Sequence, residues 1–190
     1  MPGRYFVLIP LLCLASAAHA QSEATAHYQL YGGYTYLSNS FNGVPGSHQP
    51  LNGWDAALAF SSWHGLRFKL ETFEYRGTNL GAPQNAMFIL AGWQYSRRLL
   101  RESLFAEGLA GEANLSKNWP GNQLIGTPAS FSTLLGGGVD TPIARHFAFR
   151  IDGGFNWSNF SLQSSYNVPY PTPGLPHDFG RISTGLVWGF

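Results

Sequence analysis

Phe179–Phe190 reads FGRISTGLVWGF and closes the sequence on an aromatic residue. Ile182, Thr184, Leu186, Trp188 and Phe190 fall on one side of an extended chain. Arg181, Ser183, Gly185, Val187 and Gly189 fall on the other, which is small or polar apart from Val187. This period of two predicts a β-strand with one apolar face. Chain ends in water-soluble proteins fray, so a terminal Trp-Gly-Phe points to an apolar surrounding.

The opposite end agrees. Met1–Ala20 carries a single positive charge at Arg4, an apolar run from Tyr5 to Ala15, and Ala18-His19-Ala20 ahead of Gln21. This pattern predicts a secretory signal peptide over residues 1–20, cleaved after Ala20, with an apolar run too short to span a bilayer. A lipoprotein signal using Cys13 fits less well, because Leu12 stands where such signals need a small residue. Cys13 is the single cysteine, so residues 21–190 are expected to hold no disulfide and no thiolate metal site. They also contain no apolar run long enough for a transmembrane helix. Eleven Lys and Arg stand against ten Asp and Glu. With Arg4 in the leader the remainder is neutral, which argues against a nucleic-acid partner. Residues 21–190 suit one domain, and 23 glycines with 15% aromatic and 11% charged residues suit a β-rich one.

Eight strands are expected: 28–37, 51–60, 66–75, 86–96, 103–113, 131–139, 147–157 and 179–190. Each is close to the ~9–11 residues that a tilted strand needs to cross a membrane. Their connections alternate. Long polar or Gly/Pro-rich loops are expected at 38–50, 76–85, 114–130 and 158–178, and short links at 61–65, 97–102 and 140–146. Long loops at one rim and short turns at the other predict an all-β, eight-stranded antiparallel up-and-down barrel in a membrane. A soluble lipocalin-like carrier is the alternative for the same strand pattern.

The faces separate these two. Phe147, Phe149, Ile151, Phe155 and Trp157 share a side, opposite Arg150 and Asp152; Leu66, Phe68 and Leu70 oppose Arg67, Lys69 and Glu71. Asp55, Arg67, Lys69, Glu71, Glu107, Arg150, Asp152 and Arg181 all fall on the inward faces of a membrane barrel. Eight strands enclose an interior only just wide enough for side chains. Small residues and paired charges fit there, whereas five bulky groups from one strand would overfill it. A Lys or Arg turned to mid-bilayer would cost ~2–4 kcal/mol. The greasy faces are therefore expected outside, with Glu107 drawing Phe105 and Leu109 inward. Aromatic girdles are expected from Trp54 and Trp157 at the long-loop rim and from Phe60, Trp63, Trp93, Tyr95 and Phe147 at the short-turn rim.

The segment 179–190 resembles the C-terminal strand of bacterial outer-membrane β-barrels. The resemblance implies that Leu186, Trp188 and Phe190 form a signal read by the barrel-insertion machinery. In leader, strand number and loop alternation the chain as a whole resembles the eight-stranded outer-membrane barrels, meaning the transmembrane part of outer membrane protein A and its small relatives. It departs from outer membrane protein A in ending at its eighth strand, so cell-wall anchoring is not implied. The resemblance implies residence in the outer membrane after secretion across the inner membrane, among lipid.

Chemistry inside such a barrel has two readings. Glu71, Glu107, Arg150 and Asp152 lie mid-strand and are the expected core of an internal ion-pair plug; a narrow gated ion path is the alternative. Lipid-modifying enzymes occur among these barrels, and the lipid A deacylases pair a His with a Ser two residues later. No His-x-Ser occurs in this sequence. His177-Asp178 is the single adjacent acid–imidazole pair, and a solvated loop histidine accounts for it. No catalytic residue, metal site or cofactor is expected. The loop 158–178, with Pro169, Pro171, Pro173 and Pro176 around Tyr166 and Tyr170, is stiff enough to present a recognition surface. Together with 114–130 it is the expected contact for an extracellular ligand.

Overall fold

Apolar–polar alternation becomes strand pairing almost throughout. The structure, a computed structural model, describes residues 27–38, 51–79, 82–119, 123–126, 129–160 and 178–190. The expected signal peptide 1–20 and most of the loops 38–50 and 158–178 lie outside the described residues.

Nine strands follow in chain order: β1 (Tyr28–Leu37), β2 (Leu51–Trp63), β3 (Leu66–Asn79), β4 (Ala82–Leu99), β5 (Glu102–Trp119), β6 (Gln123–Gly126), β7 (Ser130–Ala144), β8 (Phe147–Ser158) and β9 (Asp178–Gly189). Short β6 pairs with the end of β5 alone. The other eight form one antiparallel meander that closes on itself through β1 and β9, with Gln29 opposite Gly189 and Leu37 opposite Arg181. Closure leaves no barrel edge unpaired, which is what a bilayer demands of strands. The seam is completed by Tyr28 and Phe190, which exchange both backbone hydrogen bonds at 3.0 Å.

The short links are tighter than expected, because ladder pairing runs to the last residue before each turn. Only His64-Gly65, Leu100-Arg101 and Arg145-His146 remain between paired strands. His64 and Gly65 have φ of 45° and 88°, the positive pair of a two-residue hairpin whose twist matches that of the strands. A Cβ on Gly65 would also overlap the carbonyl oxygen of Ser96. In the third turn Ile143 bulges out of register next to Pro142, a position where the missing proline N–H costs no ladder bond.

Two expected loops at the other rim prove to be largely strand. Across 76–85, β3 and β4 stay paired as far as Asn79 and Ala82. Across 114–130, β5 continues to Trp119 and receives β6. Polar residues had marked these stretches as loop, but once two strands leave the apolar band together their backbone groups can keep satisfying each other.

Candidate functional site

The inward residues stack in layers along the barrel axis. Nearest the long loops, Leu37, Leu51, Phe73, Tyr75, Phe88, Leu115, Phe160 and Phe179 bury against one another. Phe73 stacks on Phe88 with centroids 4.6 Å apart, and Tyr75 meets Phe88 edge-on at 5.9 Å. Small residues and paired charges are expected in the interior, with Phe105 and Leu109 the large apolar exceptions, and this layer of rings corrects that expectation. Phe73 and Tyr75 share the inward parity of Lys69 and Glu71, so the same alternation that buries the charges also buries the rings.

Below the rings lies an ion network built from five strands. Lys69 Nζ bridges Glu71 at 2.7 Å and Glu107 at 2.8 Å. Arg181 Nη2 reaches Glu71 at 2.5 Å, Asp152 at 3.2 Å, Asp55 at 3.5 Å and Glu107 at 3.9 Å. The Arg181 guanidinium also lies 4.7 Å from the Phe73 ring centroid, so the aromatic layer caps the network directly and keeps water from it. Asp55 accepts a further bond from Ser183 Oγ at 3.1 Å, and the Ser183 and Thr35 hydroxyls are hydrogen-bonded at 2.8 Å. Four carboxylates thus share two cations, all of them buried.

Arg150 is elsewhere. It was expected beside Glu71, Glu107 and Asp152, but its Nε and Nη2 donate to the two oxygens of Asp140 at 2.6 and 2.7 Å. Its guanidinium lies 4.3 Å from the Phe105 ring centroid and 5.3 Å from that of Tyr31. The centre of the network is Arg181. Strand tilt and stagger set which residues share a height, and a strand list does not contain them. Asp140 was missed because its strand was expected to end at Val139. It has the inward parity of Ser132, Leu134 and Gly138, so one further residue of strand would have exposed it. Arg67, also buried, donates to Ser96 Oγ at 2.5 Å.

Outside, the picture inverts. Trp54, Trp93, Tyr95, Phe147, Trp157, Leu186, Trp188 and Phe190 are exposed on the outer face, with Leu70, Ile89, Leu135, Ile151 and Ile182 between them. Phe60 also faces out, edge-on to Tyr28 at 5.7 Å; the Trp63 side chain lies outside the described residues. Phe190 stacks on Tyr28 at 5.5 Å and packs against Trp188 at 4.8 Å. On β3 the outward row changes from Leu66, Phe68, Leu70 and Thr72 to Glu74 and Arg76, which are paired at 3.0 Å. On β5 it changes at Glu112. Trp54 Nε1 donates to Glu74 at 2.7 Å, an amphipathic ring with its polar tip at the edge of an apolar band. Buried ions within and exposed rings without are the reverse of a soluble lipocalin-like barrel. Among the described residues no group of His, Cys, Asp and Glu is arranged to hold a metal ion.

No protein-family model matches the sequence. No curated protein matches it either. Solved structures do resemble the fold. Neisserial surface protein A has a TM-score of 0.65 at 10% identity, covering 87% of this chain and 98% of that one. Ail, the attachment invasion locus protein of Yersinia pestis, has a TM-score of 0.55 at 13% identity, covering 87% and 99%. The outer membrane protein OprG of Pseudomonas aeruginosa has a TM-score of 0.57 at 10% identity, covering 90% and 99%. The fold is that of the small eight-stranded outer-membrane barrels.

Proposed function

We propose that this protein is an outer-membrane barrel with a structural or surface-interaction role, exerted through its long-loop rim. The observation that carries the reading is the pairing of an apolar outer band, edged by aromatic residues and ions, with an interior closed by rings and buried ion pairs. Such a barrel offers lipid a compatible wall and offers solutes no wide path. It does not act as an enzyme in this reading. The β3–β4 hairpin and the β5–β6 extension rise beyond the apolar band and carry the loops that would meet a ligand. Two of the similar structures are, by name, a surface protein and an attachment protein, which supports the interaction role.

Membrane fractionation with heat-modifiable gel mobility tests residence. The protein should partition with outer membranes and shift on boiling; recovery in the soluble periplasmic fraction without a shift would refute it. Deleting 166–176 then tests the rim. Surface binding should be lost while the mobility shift persists; unchanged binding would remove this loop from the interaction, and no binding by the intact protein would leave the barrel a structural element.

The same reading gives the C-terminal strand a role in assembly. Its terminal residue sits at the seam, so recognition of Leu186, Trp188 and Phe190 by the insertion machinery would precede pairing of β9 with β1. Phe190→Ala should lower the amount of inserted barrel and leave degraded precursor, as measured by pulse labelling. Normal insertion kinetics would remove that role.

A further inference from the structure

A cavity of about 260 Å³ opens at the short-turn mouth of the barrel, and its lining is strongly one-signed. Arg67, Arg97, Arg98, Arg101 and Arg145 face two carboxylates, Glu102 and Asp140. Asp140 is already occupied by the two-bond fork of Arg150. Arg97, Arg98, Arg101 and Arg145 form no ion pair among the described residues. Five of the chain's eleven Lys and Arg therefore converge on one small cavity in a protein whose total charge is close to zero. General basicity does not explain that; local placement does. Arg67 forms the floor, buried and tied to Ser96 Oγ, while Arg97 and Arg98 at the end of β4 and Arg101 and Arg145 on the β4–β5 and β7–β8 turns stand exposed as its rim.

We propose that this mouth binds a phosphate-type oxyanion. Guanidinium forks match phosphate oxygens in pairs, and a concave wall of like charge raises the local anion concentration. The cavity is smaller than the roughly 300–1,000 Å³ clefts that enclose drug-sized ligands, so a single phosphate or pyrophosphate group suits it. The turn beside it adds a second chemistry. Leu99 and Leu100 are 58% and 92% exposed, and Leu100 holds a left-handed φ of 59°, an uncommon state for a bulky residue. Exposed leucines flanked by arginines are the composition of a segment that rests on an anionic lipid surface. The phosphate is carried by a lipid headgroup or by a free phosphate compound; the binding chemistry is the same.

The test uses the folded full-length barrel in zwitterionic micelles, with inorganic pyrophosphate titrated by calorimetry. A parallel arm measures phosphatidylglycerol retained over phosphatidylcholine by native mass spectrometry from mixed-lipid nanodiscs. The variant is Arg98→Ser/Arg101→Ser/Arg145→Ser, whose sites are exposed at the end of β4 and on two turns, and Arg76→Ser at the opposite rim is the control. Heat-modifiable mobility establishes that each variant is folded. Saturable pyrophosphate binding that weakens about tenfold or more in the triple variant, and not in the control, supports the site with a free ligand. Selective phosphatidylglycerol retention lost in the triple variant, without pyrophosphate binding, supports it with a lipid headgroup. Absence of both in the wild type, or equal binding by wild type and triple variant, overturns the proposal.

Discussion

The two halves of the lumen fill the same space by opposite means. Toward the long loops, Phe73, Tyr75, Phe88 and Phe179 close the barrel by shape. In the middle, Lys69 and Arg181 close it by charge, each shared among several carboxylates. A packed apolar layer loses energy in proportion to the volume removed and tolerates a swap of similar size. A buried ion cluster has no such latitude, because removing one member strands its partners without solvent.

That contrast can be broken most forcefully at the centre. Arg181→Met keeps much of the bulk but leaves Asp55 and Asp152 without their paired cation and Glu71 sharing Lys69 with Glu107. We expect a loss of ~3–5 kcal/mol, read as a lower urea midpoint by tryptophan fluorescence in micelles. Adding Glu71→Gln should recover part of the loss; an unchanged midpoint for Arg181→Met would show that the network contributes nothing.

The next effect is expected at Asp140→Asn. The fork to Arg150 loses its charge but keeps an acceptor, so the cost should be about 1.5–3 kcal/mol, within the range for hydrogen bonds to charged groups. The same unfolding measurement decides it. A loss as large as that of Arg181→Met would mean that the two ion clusters act as one unit.

In the apolar half, Phe88→Leu should cost about 1.5 kcal/mol, since much of the volume is kept while the ring contacts to Phe73, Tyr75 and Phe160 are lost. A larger penalty would place the aromatic layer alongside the ions in its intolerance and remove the distinction. Smallest of all should be Arg76→Ala at the outer rim. Arg76 is mostly exposed, so its pair with Glu74 is screened by solvent and contributes little. Raising the salt concentration should abolish even that difference.

Residue pattern determined a good deal of this protein. Alternation in 66–75, 147–157 and 179–190 marks strands and assigns Arg67, Lys69, Glu71, Arg150, Asp152 and Arg181 to one kind of face. Parity survives any change of register that keeps the same face inward, so it is legible one strand at a time. The tilted wall then needs no further information to send Trp93 out and Gln94 in. Tertiary structure alone decided who meets whom. Arg150 bonds Asp140 rather than Asp152, Arg181 gathers carboxylates from four other strands, and five arginines from two strands and two turns line one cavity. Each depends on the stagger between neighbouring strands, a property of the closed barrel that no single segment encodes. The hairpins beyond the apolar band escaped notice for a related reason. Their residues carry no apolar alternation, and only the partner strand alongside keeps them extended.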